Sequence, residues 1–99
     1  MIRIDVNKDL ITVSGHAGAG IVGQDIVCAS ASSIIYTTIN GILNIDNKAI
    51  EYTDDNKLLK IIIIDKKNKV VNILIDNMIM LLEDLESQYP ENLKVRKGD

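Results

Sequence analysis

Across residues 2–14 apolar side chains alternate with polar ones, and across residues 25–45 they recur at helical spacing. The change of period falls on one glycine-crowded stretch, GHAGAGIVGQDIVCASASS, at residues 15–33. Alternation gives a strand one apolar face, and a 3.6-residue period gives a helix one apolar stripe, so each must cover the other. A chain that opens in this way is expected to form a sheet layered against helices.

The details follow from residue types. Ile2, Ile4 and Val6 alternate with Arg3 and Asp5, Asn7-Lys8-Asp9 reads as a turn, and residues 10–14 alternate again, which predicts a β-hairpin. His16 then stands just past a strand end. Gly15, Gly18, Gly20 and Gly23 imply unusual backbone angles, mobility or close approach to a ligand. Asp25 is a candidate N-cap for a helix over 25–45, with Val27, Ala31, Ile34/Ile35, Thr38, Ile42 and Ile45 on its apolar side. Ser30, Ser33, Thr37, Asn40 and Asn44 lie opposite.

Residues 48–53 and 58–65 read as a second hairpin around an Asp54-Asp55-Asn56 turn. Residues 61–64 are apolar on both faces, so that strand is expected to lie centrally with both sides covered. A second helix starts at a cap on Asp65 or Asn68 and runs to Tyr89, where Pro90 forbids continuation. Its core stripe is Val71, Leu74, Ile75, Met78, Leu82 and Leu85, while Ile73 and Met80 fall off the stripe as candidates for a subunit contact. Residues 93–96 alternate as a final edge strand. The expected fold is α+β in the order ββαββαβ, a mostly antiparallel five-stranded sheet packed with two long helices.

The 99 residues suffice for one domain, 1–99, and 46 % hydrophobic with 25 % charged residues is an ordinary globular balance. A net charge of -3 gives no electrostatic footprint for nucleic acid. A single cysteine cannot make an internal disulfide, and the opening MIRIDV is a strand pattern where a signal peptide would be basic and then apolar. The expected compartment is the cytoplasm. The longest uninterrupted apolar runs, residues 61–64 and 78–82, fall far short of the ~20 residues of a membrane span, and none is expected.

The chemistry concentrates at residues 15–33. With Asp25 as N-cap, Cys28 is the third helical residue, where unpaired backbone N–H groups and the positive end of the helix dipole favour a thiolate. Ala29, Ser30, Ala31, Ser32 and Ser33 leave room beside the sulfur, although the same small residues allow close helix packing. The plain alternative for Cys28 is core filler, since it shares the apolar arc with Ile35, Ile39 and Ile42. For His16 it is a loop histidine donating to a nearby carbonyl. Against both stands one coincidence: the only His and the only Cys of the chain share one loop-helix junction, twelve residues apart. His16 as general base and acid with Cys28 as nucleophile makes a thiol-imidazole pair, and backbone N–H groups at the helix start, that of Cys28 included, receive the oxyanion. Asp25 either orients the imidazole or only caps the helix.

Two other chemistries are weighed against this one. Residues 18–23 spell G-x-G-x-x-G after a strand and before a helix, the form of a dinucleotide fingerprint. A hairpin follows the helix here where the fingerprint needs a parallel strand, the second half-fold is missing, and Asp25 sets a negative charge beside the phosphates. A zinc site would have only His16, Cys28 and Asp25 to draw on, with no paired ligand spacing.

The segment Gly15-His16-Ala17, followed by Gly23-Gln24-Asp25-Ile26-Val27-Cys28-Ala29 and then Ser32 or Ser33, resembles the signature of the ribosomal-processing cysteine protease family, Prp. The likeness extends to length and element order. It implies a homodimeric endopeptidase without a cofactor or metal, removing a short N-terminal extension from large-subunit ribosomal protein twenty-seven by cleavage after an aromatic pair. It implies His16 and Cys28 as the catalytic dyad, with Asp25 and Gly23 in support. It also implies a mobile loop over the substrate peptide, which makes Gly15, Ala17, Gly18, Gly20, Ala29 and Ser32 flap or substrate-binding candidates. The rival from another class is a non-catalytic, ribosome-associated module that holds a peptide in the same groove.

Overall fold

The computed structural model describes residues 1–15, 24–55 and 57–98, with Gln24 and Asp25 described by their backbone alone. The elements run β1 (Ile2–Asn7), β2 (Leu10–Ser14), α1 (Gln24–Ile45), β3 (Ile50–Asp54), β4 (Leu58–Ile63), α2 (Lys69–Gln88) and β5 (Leu93–Lys97). This is the expected ββαββαβ order. The sheet order is β3-β4-β2-β1-β5.

The alternating patterns account for the pairing. β1 and β2 form an antiparallel hairpin from Asn7↔Leu10 to Arg3↔Ser14, leaving Lys8 and Asp9 as its two-residue turn. β4 pairs antiparallel with both β2 and β3. The one parallel ladder joins β1 to β5, from Ile2↔Leu93 to Val6↔Lys97, so the expected edge strand closes one side of the sheet.

One sheet face carries Ile2, Ile4, Ile11, Val13, Leu59 and Ile61, and both helices cover that face. α1 contributes Val27, Ala31, Ile35, Ile39 and Ile42, and α2 contributes Val71, Ile75, Met78, Ile79, Leu82 and Leu85. Each large side chain so buried is worth about 1.5–3 kcal/mol of hydrophobic transfer, which makes this single aliphatic layer the main source of stability.

Several expectations need correction. β4 is not covered on both sides: Ile62 and Ile64 stay 39 % and 49 % exposed because both helices pack on the opposite face. β3 takes in Asp54, which pairs with Leu59 as a strand residue and is not part of the turn; Asn56 of that turn lies outside the described residues. On α1 the buried role given to Thr38 falls to Ile39, while the Thr38 hydroxyl donates to the Ile34 carbonyl at 2.9 Å. Ile45 ends the helix exposed. On α2, Ile79 is buried and Leu74 only half-buried.

Asn68, one of the two expected caps, is the N-cap of α2: its side-chain oxygen accepts from the amides of Val70 at 3.1 Å and Val71 at 3.2 Å. The Tyr89 amide closes the other end on the Leu85 carbonyl, just ahead of Pro90.

Residues Ile26–Ile45 are long and apolar enough, by length and composition alone, to cross a membrane, which a count of uninterrupted apolar residues does not register. Their apolarity has an internal use here, since the stripe from Val27 to Ile42 seals the sheet.

Candidate active site

β2 ends at Ser14, and Gly15 turns the chain out of the sheet with φ +78°, in the left-handed region. A Cβ at this position would lie 2.1 Å from the Met1 carbonyl oxygen, so two backbone segments approach here as only glycine allows. One of the glycines singled out at residues 15–33 thus has its reason in the described structure.

His16, Ala17, Gly18, Gly20 and Gly23 lie outside the described residues, as does the side chain of Asp25. The two flanks of that segment meet. Cys28 lines a cleft together with Val13, one residue before the end of β2, and with Ile2, whose backbone Gly15 approaches.

α1 starts at Gln24, which corrects the reading of Asp25 as its N-cap: Asp25 stands within the first turn. Cys28 is then the fifth helical residue. In an α-helix the fifth amide donates to the first carbonyl, so the Cys28 N–H is committed to the Gln24 carbonyl. Among the described residues, the amides left without a helical partner at this end are those of Gln24, Asp25 and Ile26. The helix dipole acts on the Cys28 sulfur more weakly from one turn further in. Side chains on a helix lean toward its N-terminus, which sets the Cys28 sulfur back over the first turn, where the positive end still acts.

Cys28 is half-buried and packs against the core. It is therefore neither a solvated surface thiol nor sealed core filler. The cleft is partly open, with about 30 Å³ of enclosed room, and runs along α1, whose Cys28, Ala31, Ser32, Ile35 and Tyr36 form one wall. The other wall is the helix-facing side of the sheet, with Ile2, Val13, Leu59 and Asp54. Ser32 lines the cleft; Ala29 is exposed on α1 and does not.

Two cleft residues were not singled out in the sequence. Tyr36 donates its hydroxyl hydrogen bond to the Asp54 carboxylate, and this contact pushes the Tyr36 phenol up to about 12, since an adjacent carboxylate opposes a phenolate; burial adds to the effect. The Tyr36 ring also meets Tyr52 edge to face, with centroids 6.2 Å apart and planes at 83°. The available signal was spacing: Ser32 and Tyr36 follow Cys28 at i+4 and i+8, one helical face. Asp54 gave none, because its role depends on β3 reaching one residue further than the pattern suggests.

Of the three side chains weighed as zinc ligands, two lie outside the described side chains. The arrangement that is described offers a partly accessible thiol, small neighbours, a helix start with unpaired amides, and an apolar cleft leading away from the sulfur. These are the parts needed to hold an extended peptide against a nucleophile.

Comparison with known proteins points the same way. The model of the family described as cysteine protease Prp matches residues 1–94. The ribosomal processing cysteine protease Prp of Staphylococcus aureus is 30 % identical, covering 96 % of this chain and 97 % of its own. A crystal structure of that organism's Prp with a covalently linked product peptide superposes with a TM-score of 0.85 at 27 % identity, covering 99 % of this chain and 100 % of the other. A second, in complex with a substrate peptide, gives 0.92 at 24 % identity with the same coverage.

Proposed function

The chain belongs to the cysteine protease Prp family, and on that premise we propose that it is a cytoplasmic endopeptidase that trims a short N-terminal extension from large-subunit ribosomal protein twenty-seven. The observation that carries this reading is the placement of Cys28: one turn into α1, half-buried, on a mostly apolar cleft beside the strand end that leads to His16.

In the proposed mechanism His16 takes the proton from the Cys28 thiol, and the thiolate adds to the scissile carbonyl, which follows an aromatic pair. Amides of Gln24, Asp25 and Ile26 are placed to stabilise the oxyanion, each well-placed donor being worth roughly 2.7–4 kcal/mol. His16 then returns the proton to the leaving amine, and water releases the acyl chain from sulfur. The glycines at 18, 20 and 23 suit a flap that closes over the substrate. No nucleic acid, membrane, metal or cofactor has a part in this mechanism. We take the active form to be a homodimer, with the exposed Ile73 and Met80 of α2 as its contact.

The test uses a peptide spanning the extension and the mature start of the ribosomal protein. The unmutated protein is expected to cleave it after the aromatic pair; Cys28→Ala is expected to bind it without cleavage, and His16→Ala to lose most turnover. Peptide left intact by the unmutated protein, yet bound, would instead establish the non-catalytic peptide-binding module.

A further inference from the structure

The cleft extends well beyond the thiol. Cys28 and Tyr36 are eight residues apart on α1, which at 1.5 Å per residue separates the two ends of the helical wall by about 12 Å. An extended peptide advances about 3.3 Å per residue, so a chain lying along this wall from Cys28 passes Tyr36 after about four residues.

The far end is built differently from the near end. Beside Cys28 the wall is of small residues, Ala31 and Ser32. At the other end stands a ring fixed from two sides, by its hydroxyl on Asp54 and by the edge contact with Tyr52, in a cleft that Ile35 and Leu59 also line. A ring held in this way is a preorganised surface, and little side-chain entropy is lost when something packs on it. The enclosed part of the cleft is only about 30 Å³, far below a ligand pocket, which suits part of one side chain of a longer chain and not a separate small molecule.

Building on the protease reading of Cys28, we infer that Tyr36, held by Asp54, is a specificity-determining residue that seats an apolar side chain of the substrate about four residues from the scissile bond. Tyr36 supplies the packing surface, and Asp54 fixes the position of the ring.

The experiment is a coupling measurement on the full-length protein. Peptides in which each residue three to five positions from the scissile bond, on either side, is changed singly to alanine are assayed with the unmutated protein and with Tyr36→Ala, Tyr36→Phe and Asp54→Ala. At one position the alanine change is expected to lower kcat/KM about tenfold or more in the unmutated protein, the lower end of what one methylene is worth in an apolar pocket. With Tyr36→Ala the same change is expected to cost threefold or less, and Tyr36→Phe and Asp54→Ala should fall between, mainly through KM. A peptide dependence that is the same in all four proteins at every position, or a uniform loss with Tyr36→Ala at all of them, overturns the inference. Should Tyr36→Ala fail to fold, the comparison of Tyr36→Phe with Asp54→Ala carries the same test. Failure of the protease reading shows separately, as no cleavage of any peptide by the unmutated protein.

Discussion

The Tyr36 hydroxyl donates to the Asp54 carboxylate, tying the middle of α1 to the last residue of edge strand β3 at the end of the cleft remote from Cys28. The bond requires a protonated phenol. A phenol whose folded-state pKa is raised to about 12 from 10.0 contributes stability that is complete below pH 10 and is lost as pH rises through 12. Ultraviolet titration of the unmutated protein minus that of Tyr36→Phe should show one tyrosine ionising near 12. Asp54→Asn should bring it down toward the ordinary value while keeping an acceptor in place. A Tyr36 that titrates near 10 in the folded protein would mean that the bond does not form in solution.

Gly15 gives a second prediction. At φ +78° an alanine pays the left-handed penalty, and its Cβ would press on the Met1 carbonyl oxygen, a backbone atom that gives way only by moving the start of β1. Gly15→Ala is expected to destabilise by about 1–3 kcal/mol, measured by chemical denaturation. Because His16 is the next residue, activity should also fall by more than the unfolded fraction explains.

The acidic residue next to Asp54 gives a pH dependence of the opposite sign. Asp55 accepts from the amides of Lys57 at 3.0 Å and Leu58 at 2.8 Å, and these bonds hold its carboxyl below the usual range. A depressed carboxyl stabilises above its unfolded pKa of 3.8, and the contribution disappears as pH falls through the lower folded value. Asp55→Ala is therefore expected to lower the denaturation midpoint at neutral pH and to leave it unchanged once both states bind the proton. A midpoint lowered equally at both pH values would assign the loss to the turn's shape and not to the charge.

Local pattern made much of this fold legible. The period-two runs gave β1, β2 and β5, the helical stripes gave α1 and α2, and Pro90 with Asn68 bounded the second helix, because each signal is written within a few residues. What was not legible depends on which layer lies where. Residues 61–64 are apolar throughout, and nothing local says that both helices settle on one face and leave Ile62 and Ile64 exposed. The start of α1 at Gln24 was missed by about one residue because Asp25, a good capping residue, is also a good first-turn residue near a positive dipole end. That shift gives the Cys28 amide a partner inside the helix and leaves the unpaired amides ahead of it. At the cleft, the place of Cys28 near the start of α1 was readable from spacing, whereas the Tyr36–Asp54 pair joins residues 18 apart in sequence through a strand boundary.

The cap of α2 separates folding from function. Asn68→Ala removes the acceptor for two amides at the helix start and is expected to cost about 1 kcal/mol. Asp, which presents the same oxygen, should restore it. Since α2 contributes no residue to the cleft, kcat/KM should stay within twofold of the unmutated protein at temperatures where both are folded. A larger loss of activity would require α2 to carry a role beyond the core.

The proposed homodimer rests on side chains that the core does not use. Ile73 and Met80 are 65 % and 54 % exposed on α2, seven residues and so two turns apart, and burying both against a second copy would remove an apolar strip from water. Placing a carboxylate at such a contact forces an unpaired charge into an apolar interface. Ile73→Asp with Met80→Asp is therefore expected to weaken self-association by more than about tenfold, the scale of a central contact, in sedimentation equilibrium, with secondary structure and melting of the monomer little changed. Because the cleft lies along α1 at the other helix, a monomer that keeps full turnover would show that pairing serves stability or substrate presentation. A monomer inactive at every concentration would show that the partner copy completes the site. A double variant that still sediments as the unmutated protein does would place the subunit contact elsewhere.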